Sequence, residues 1–391
     1  MVLVTERVED NVLYLELNGR IDSSNAEQAE DQIKAIKEAH PELKCVLDAE
    51  HLEYLSSAGL RVLLRMRKDA ADLKIINVST EVYEILDMTG FTDMLTVEKA
   101  FRRLSVEGCE LIAKGANGTV YRYDEETIVK VYHNGAPLEE VRQEKDLCRK
   151  VFIKGINTAI PYDVVKVGEY YGSVAELLSA KPLSKLLAEQ PERLGELVDV
   201  YTDLLKKIHT TPIRPDEMPS VKETGVNWAK FLQPYLPAEQ WEKLVAMVEA
   251  LPEPGFMVHG DYHVNNVMLQ DGEPLLIDMD TVGYGHPVFD FASIYLSFVG
   301  YCECNHAGTL DFYGLPYETT VKIWETLLEQ YFEDAAVRMD VARKAKIIGY
   351  TRMMRRTIRR NGLNTPDGQE LIALCKKRLD ELLPQVEQLD Y

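Results

Sequence analysis

Residues 259–278 read HGDYHVNNVMLQDGEPLLID. Two chemistries want the residue set of the first eight positions. His259 and His263 stand four apart, as two metal ligands on one helical turn would. Asp261 and Asn266 stand five apart, as the base and the magnesium ligand of a phosphotransferase loop do. The stretch before them, PGFMV, is short and apolar, not the long amphipathic helix that would turn both histidines toward one ion. After them, two short apolar runs flank QDGE, and Asp-Gly between such runs predicts a hairpin. Closing that hairpin sets Asn266 beside Asp278, with Asp261 in reach on the loop. An amide and a carboxylate are hard oxygen ligands for magnesium on a triphosphate. A separate carboxylate must meet the proton of the attacking hydroxyl. This reading assigns Asn266 and Asp278 to metal and Asp261 to the catalytic base.

Such a loop requires three things upstream: a glycine turn over the phosphates, a lysine on a strand, and a carboxylate to pair it. KGANGTVYR, residues 114–122, supplies Gly115 and Gly118, where missing side chains let backbone N–H groups approach phosphate. TIVKVY, residues 127–132, carries Lys130 between apolar neighbours. The following helical stretch offers Glu144 as partner to Lys130, with Glu140 as the alternative.

On these residues the chain from about 105 onward resembles the aminoglycoside phosphotransferase and choline kinase-like family, within the protein-kinase-like fold. HGDYHVNN matches its catalytic loop, and LIDMDTVGYGHPVFDFA, residues 276–292, matches its metal-binding segment. The resemblance implies ATP and Mg2+ as cofactors, an auxiliary role for Asp280 beside Asp278, and bracing of the loop by Asp290. It also implies that the hinge between lobes presents its backbone to adenine around Glu176 to Leu178. Gly260 stands where protein kinases place arginine, which favours the branch that acts on small molecules.

Residues 1–100 alternate strand and helix signals: NVLYLELNG, then Ala26, Ala29, Ile33 and Ile36 at helical spacing, then the buried strand KCVLDAE. SSAGLRVLLRM predicts a helix with Leu60, Leu63 and Leu64 on one face, followed by the strand LKIINVS and the helix VYEILDM. That order describes a compact α/β domain. LDAEHLEYLSSAGLRVLL, residues 47–64, resembles the signature of STAS domains, the anti-sigma-factor antagonists, and LNGRIDSSNAEQ resembles their earlier loop. Ser57 falls at the position phosphorylated in regulated members, although Ser56 replaces the usual aspartate before it. The plain alternative is that Ser56 or Ser57 caps the helix.

The 391 residues suit two or three cores, and 46% apolar with 28% charged content describes a soluble globular protein. No apolar run is long enough to span a bilayer, and no secretory signal opens the chain. Six scattered cysteines suit a reducing cytoplasm. A formal charge of −20 argues against nucleic acid and favours a cationic small molecule or a basic protein surface as partner. Cys302, Cys304 and His306 lie close together but lack a second ligand pair. Arg352, Arg355, Arg356, Arg359 and Arg360 form a basic helical face, expected to meet carboxylates, an anionic substrate or the N-terminal domain. His263 and His286 flank the site as packing or hydrogen-bonding groups, and Trp228, Trp241 and Trp324 read as core.

The expected architecture is α/β plus α+β: a STAS-like domain over 1–100, then a two-lobed kinase-like domain with lobes at 105–178 and 179–391. The expected activity is phosphoryl transfer from ATP to a hydroxyl of a small molecule, with the STAS-like domain as a regulatory or partner-binding module. The competing readings are a non-catalytic nucleotide-binding partner switch, and a kinase that acts on Ser57 of a STAS domain.

Overall fold

Alternation in the strand Val12–Ile21 points Leu13, Leu15 and Leu17 to one side, where each is at most 1% exposed. They build the core of a sheet in a computed structural model that describes residues 3–391 except 10, 71, 116 and 134. The chain divides into two compact units, residues 1–105 and 106–391.

In the first unit five strands lie in sequence order: Val4–Glu9, Val12–Ile21, Lys44–Leu55, Lys74–Val78 and Thr96–Lys99. The first pair is antiparallel and the rest are parallel. The helices Ala26–Ala39, Ser57–Asp69 and Thr80–Met88 make the crossovers. Parallel neighbours need such crossovers, which explains the regular strand–helix rhythm of the sequence. The second of these helices departs from expectation at Leu64. Leu64 is exposed, and the buried face of its helix is Gly59, Leu60, Val62, Leu63 and Met66. A helix turns 100° per residue, so Leu64 lies about 40° beyond Leu60, which is itself at the edge of the face that Gly59, Leu63 and Met66 centre.

The second unit begins with antiparallel strands Glu110–Lys114, Gly118–Arg122, Thr127–Tyr132, Pro161–Val167 and Tyr170–Glu176. The helix Leu138–Ile153 packs against them. Beyond residue 183 the unit is mainly helical, around a core that includes Tyr201, Tyr262, Phe291, Phe298 and Tyr350. The predicted hairpin is present: Val267–Gln270 pairs with Glu273–Leu276, turning at Asp271 and Gly272, both with positive φ. No helix among the described residues is long and apolar enough to cross a membrane.

Three elements far apart in sequence meet at Glu303. Its carboxylate accepts from Tyr295 at 2.7 Å, from Tyr350, and from Arg378 Nη2 at 2.8 Å. Burial would raise its pKa, but these donors hold it below the ordinary 4.5. Its stabilising contribution is therefore full above the unfolded-state value and is lost as pH falls through the folded one. Glu303→Gln is expected to lower the unfolding free energy of the second unit by about 1–3 kcal/mol near neutrality. Denaturant titrations at several pH values check this, because the loss should shrink in acid.

Candidate active site

Residues 259–266 lie in a loop between the strands Phe256–Val258 and Val267–Gln270, so the helical two-histidine ion site does not exist. What shapes the loop is Asp290, a fully buried carboxylate on the helix Val288–Phe298. It accepts the N–H of His259 at 2.9 Å and of Gly260 at 2.7 Å, and lies 3.0 Å from His209 Nε2. Gly260 has φ of +78°, and a Cβ there would lie 2.6 Å from the Thr281 carbonyl oxygen. Only glycine fits that crossing, which explains the residue found where protein kinases carry arginine. Tyr262 anchors the loop from below: its hydroxyl donates to the Tyr201 carbonyl at 2.7 Å, and the Tyr201 hydroxyl donates back to Tyr262 at 3.2 Å.

The hairpin register sets Asn266 opposite Ile277, one residue before Asp278. Asn266 Nδ2 donates to the Asp261 carbonyl at 3.0 Å, and the N–H of Ile277 donates to the Asn266 carbonyl at 3.0 Å. Asp278 follows at φ of +63°. Its Oδ1 lies 3.1 Å from Lys130 Nζ, which also contacts Glu144 at 2.7 Å. Burial opposes the charge on Lys130, yet Glu144 and Asp278 together hold its pKa above the ordinary value. Tyr132 donates to the second Glu144 oxygen at 2.9 Å. Glu140, the alternative partner, is exposed one turn away. The pKa of Asp280 is raised, by loss of hydration within the site and by the charges of Asp278 and Glu144. Two crowded carboxylates of this kind suit a divalent cation.

The glycine turn differs from expectation. The Gly115 N–H donates to the Gly118 carbonyl at 2.9 Å, inside the turn and not outward to a ligand. A Cβ at Gly118 would lie 2.7 Å from the Val131 carbonyl oxygen, so strand packing requires that glycine, whereas Gly115 has room. Between them Asn117 Nδ2 donates to Asp280 at 2.8 Å, fastening the turn to the segment that carries Asp278. At the expected hinge, the N–H of Glu176 donates to Ile160 at 3.2 Å and that of Leu177 to Glu126 at 2.7 Å. Those bonds fix the chain as it leaves the strand toward Leu178.

Asp261 faces a cavity of about 420 Å3. Arg352, on the helix Ala335–Arg359, donates to the Gly260 carbonyl at 2.6 Å and to Asp261 Oδ1 at 3.1 Å. Its guanidinium lies 5.4 Å from the Trp228 ring centre. Burial raises the Asp261 pKa, but Arg352, then His263, His259 and Arg356, outweigh it and hold the carboxyl below its ordinary range. His263 packs in the cavity wall against Phe312 and Tyr313, with Nε2 3.7 Å from Asp261. His286 is turned to Asp390 at 3.1 Å. No group of three or more His, Cys, Asp or Glu side chains forms a metal cage among the described residues, including around Cys302 and Cys304.

Sequence reading saw the arginine row but missed that Arg352 hydrogen-bonds to the loop that carries Asp261. A signal was available, since no acidic residue falls between Asp340 and Asp367 to pair that row. Asn117, Tyr132 and His209 were missed because nothing in their local sequence marks them.

This geometry, with a lysine–glutamate pair, a braced catalytic loop and an Asn–Asp pair joined by a hairpin, is that of a phosphotransferase. Residues 108–312 match the model of the phosphotransferase enzyme family, just over half of the chain, and the chain belongs to that family. Residues 4–104 match the STAS domain. There the chain is 34% identical over 101 residues to BtrV of Bordetella bronchiseptica, a candidate anti-sigma factor antagonist, across 25% of this chain and 85% of that protein. Among solved structures it is similar to the gentamicin complex of APH(2'')-IIa, at 16% identity, covering 80% of this chain and 98% of that one, with a TM-score of 0.46. It is also similar to the macrolide 2'-phosphotransferase MphH of Brachybacterium faecium, at 14% identity, covering 69% and 94%, with a TM-score of 0.38.

Asp290→Ala would leave two buried N–H groups and His209 without their acceptor. It is expected to cost about 3–5 kcal/mol of stability. Thermal and denaturant unfolding of the full chain read this directly.

Proposed function

We propose that the second unit transfers the γ-phosphoryl group of ATP to a hydroxyl of a small compound. The observation that carries this reading is the convergence of Lys130, Glu144 and Asp278 beside the Asp261 loop. The bond between the γ-phosphorus and the β,γ-bridging oxygen breaks, a phosphorus–oxygen bond to the acceptor forms, and ADP leaves. The hydroxyl proton passes through Asp261 to solvent.

Each role rests on charge and position. Lys130, kept cationic by Glu144, holds the nucleotide phosphates. Asp261 orients the hydroxyl and receives its proton. Its lowered pKa makes it a weak base, which suits a loose transition state in which the proton moves late. Asn266 and Asp278, with Asp280 beside them, would hold Mg2+. They are too few to cage an ion alone, and magnesium on phosphates asks for one or two carboxylates with the phosphates completing the shell. That ion would neutralise charge developing on the phosphates. The end of the strand at Glu176, through Leu178, would receive adenine, and the Gly115–Gly118 turn would cover the phosphates once Asn117 releases Asp280.

The STAS domain is read as a regulatory or partner-binding module. Ser56 caps the helix Ser57–Asp69, its Oγ accepting from Ala58 at 3.2 Å and Gly59 at 3.5 Å, which leaves Ser57 exposed in the first turn. A phosphate on Ser57 would sit where helix N–H groups favour it.

Asp261→Asn is expected to lower acceptor-dependent ADP release by about 10^2–10^4-fold with nucleotide binding retained. Calorimetry beside a coupled ADP assay separates these, and binding without turnover in the wild type would instead indicate a nucleotide-sensing regulator. Arg352→Met should raise the Asp261 pKa and move the acid limb of the kcat/KM profile to higher pH. Mass spectrometry after incubation with Mg-ATP tests Ser57 as an acceptor, and an unmodified Ser57 in an active enzyme would exclude it.

A further inference from the structure

We infer that the acceptor carries an anionic group, a carboxylate or a phosphate, which Arg356 and Arg360 receive while Asp261 meets its hydroxyl. This rests on the phosphotransfer reading and narrows its substrate class. It also reverses the expectation drawn from net charge, which pointed to a cation.

The cavity that Asp261 faces is lined by Arg352, Arg356 and Arg360, and Asp261 is the one carboxylate lining it among the described residues. Arg352 is already engaged by the Gly260 carbonyl and Asp261. Arg356 and Arg360 have no carboxylate within ion-pair distance among the described residues, and Arg356 lies 5.8 Å from the Tyr301 ring centre. In a chain of formal charge −20, two unpaired arginines facing one cavity are the opposite of the general field. A cation entering there would meet three guanidinium groups and a carboxylate that one of them already neutralises. Basic residues near a helix C-terminus do complement its dipole. That accounts for Arg356 and Arg359 being tolerated in the last turn, but not for Arg356 and Arg360 lining the cavity.

The wall holds further unanswered polarity. His263 is 8% exposed, and its Nδ1 has no hydrogen-bond partner among the described residues; the same holds for the Tyr301 hydroxyl. Buried polar atoms are normally paired, so both are unmet polar groups in residues that line the cavity. At about 420 Å3 the cavity is near the small end of ligand clefts, which run from about 300 to 1,000 Å3.

Spacing along the helix separates acceptor recognition from phosphoryl stabilisation. Arg352, Arg356 and Arg360 follow one another at four-residue steps, about 6 Å each along the axis. Arg360 therefore lies about 12 Å along the axis from the arginine that touches Asp261, too far to serve the transferring phosphoryl. An acid group held between Arg356 and Arg360 would stand about 6–10 Å from the reacting hydroxyl, the length of a short sugar acid or sugar phosphate. Guanidinium forks suit both carboxylate and phosphate.

The test compares ADP release by the full chain with matched acceptors: gluconate and glucose 6-phosphate, glucose, and the cations ethanolamine and kanamycin. An acidic acceptor should exceed glucose in kcat/KM by about tenfold or more. Arg356→Ala and Arg360→Ala should raise its KM by about tenfold to a hundredfold with little change in kcat, and Arg356→Lys should recover part of the loss. Preference for glucose or a cation, or a KM indifferent to both arginines, would overturn the inference. Thermal shifts with the same compounds provide a readout independent of turnover. Stabilisation by gluconate or glucose 6-phosphate that Arg356→Ala abolishes supports the anion site even if none is phosphorylated, and no stabilisation by either overturns it. Failure of the phosphotransfer reading would look different: ADP release unaffected by Asp261→Asn with every acceptor.

Discussion

The active site is organised by one buried carboxylate. Asp290 takes up the His259 and Gly260 N–H groups and the imidazole of His209 in a single cluster. A fully buried carboxylate is tolerated only when donors surround it. Here the donors are the backbone of the catalytic loop, so satisfying Asp290 and shaping the loop are the same event. The crossing of Gly260 over Thr281 and the reciprocal Tyr201–Tyr262 bonds then fix where Asp261 points.

Around that loop the charges are arranged in two opposite fields. On one side, Glu144 and Asp278 pair with Lys130, and Asp280 stands beside Asp278. On the other side, Arg352 pairs with Asp261, and Arg356 and Arg360 stand beyond it along the cavity. Asp261 lies at the boundary between the two. Net charge describes the surface as a whole and is blind to a separation made over a few ångströms.

Much of this was legible in the chain. The Asp-Gly hairpin, Lys130 on its strand and Glu144 on the next helix follow from local patterns, because turn chemistry and periodicity act over a few residues. The α/β alternation of the first hundred residues likewise reflects the crossovers that parallel strands require. Leu64 was misplaced because three leucines in five positions do not say which side of the helix faces the sheet.

The sequence alone was enough for the order of elements and for the hairpin, since each rests on spacing within one short stretch. Contacts across long separations needed the folded chain. Arg352 reaches Asp261 over 91 residues, and Asn117 reaches Asp280 over 163. No local pattern encodes such pairs, because what brings them together is the packing of helices and strands whose faces are chosen only when the whole core forms.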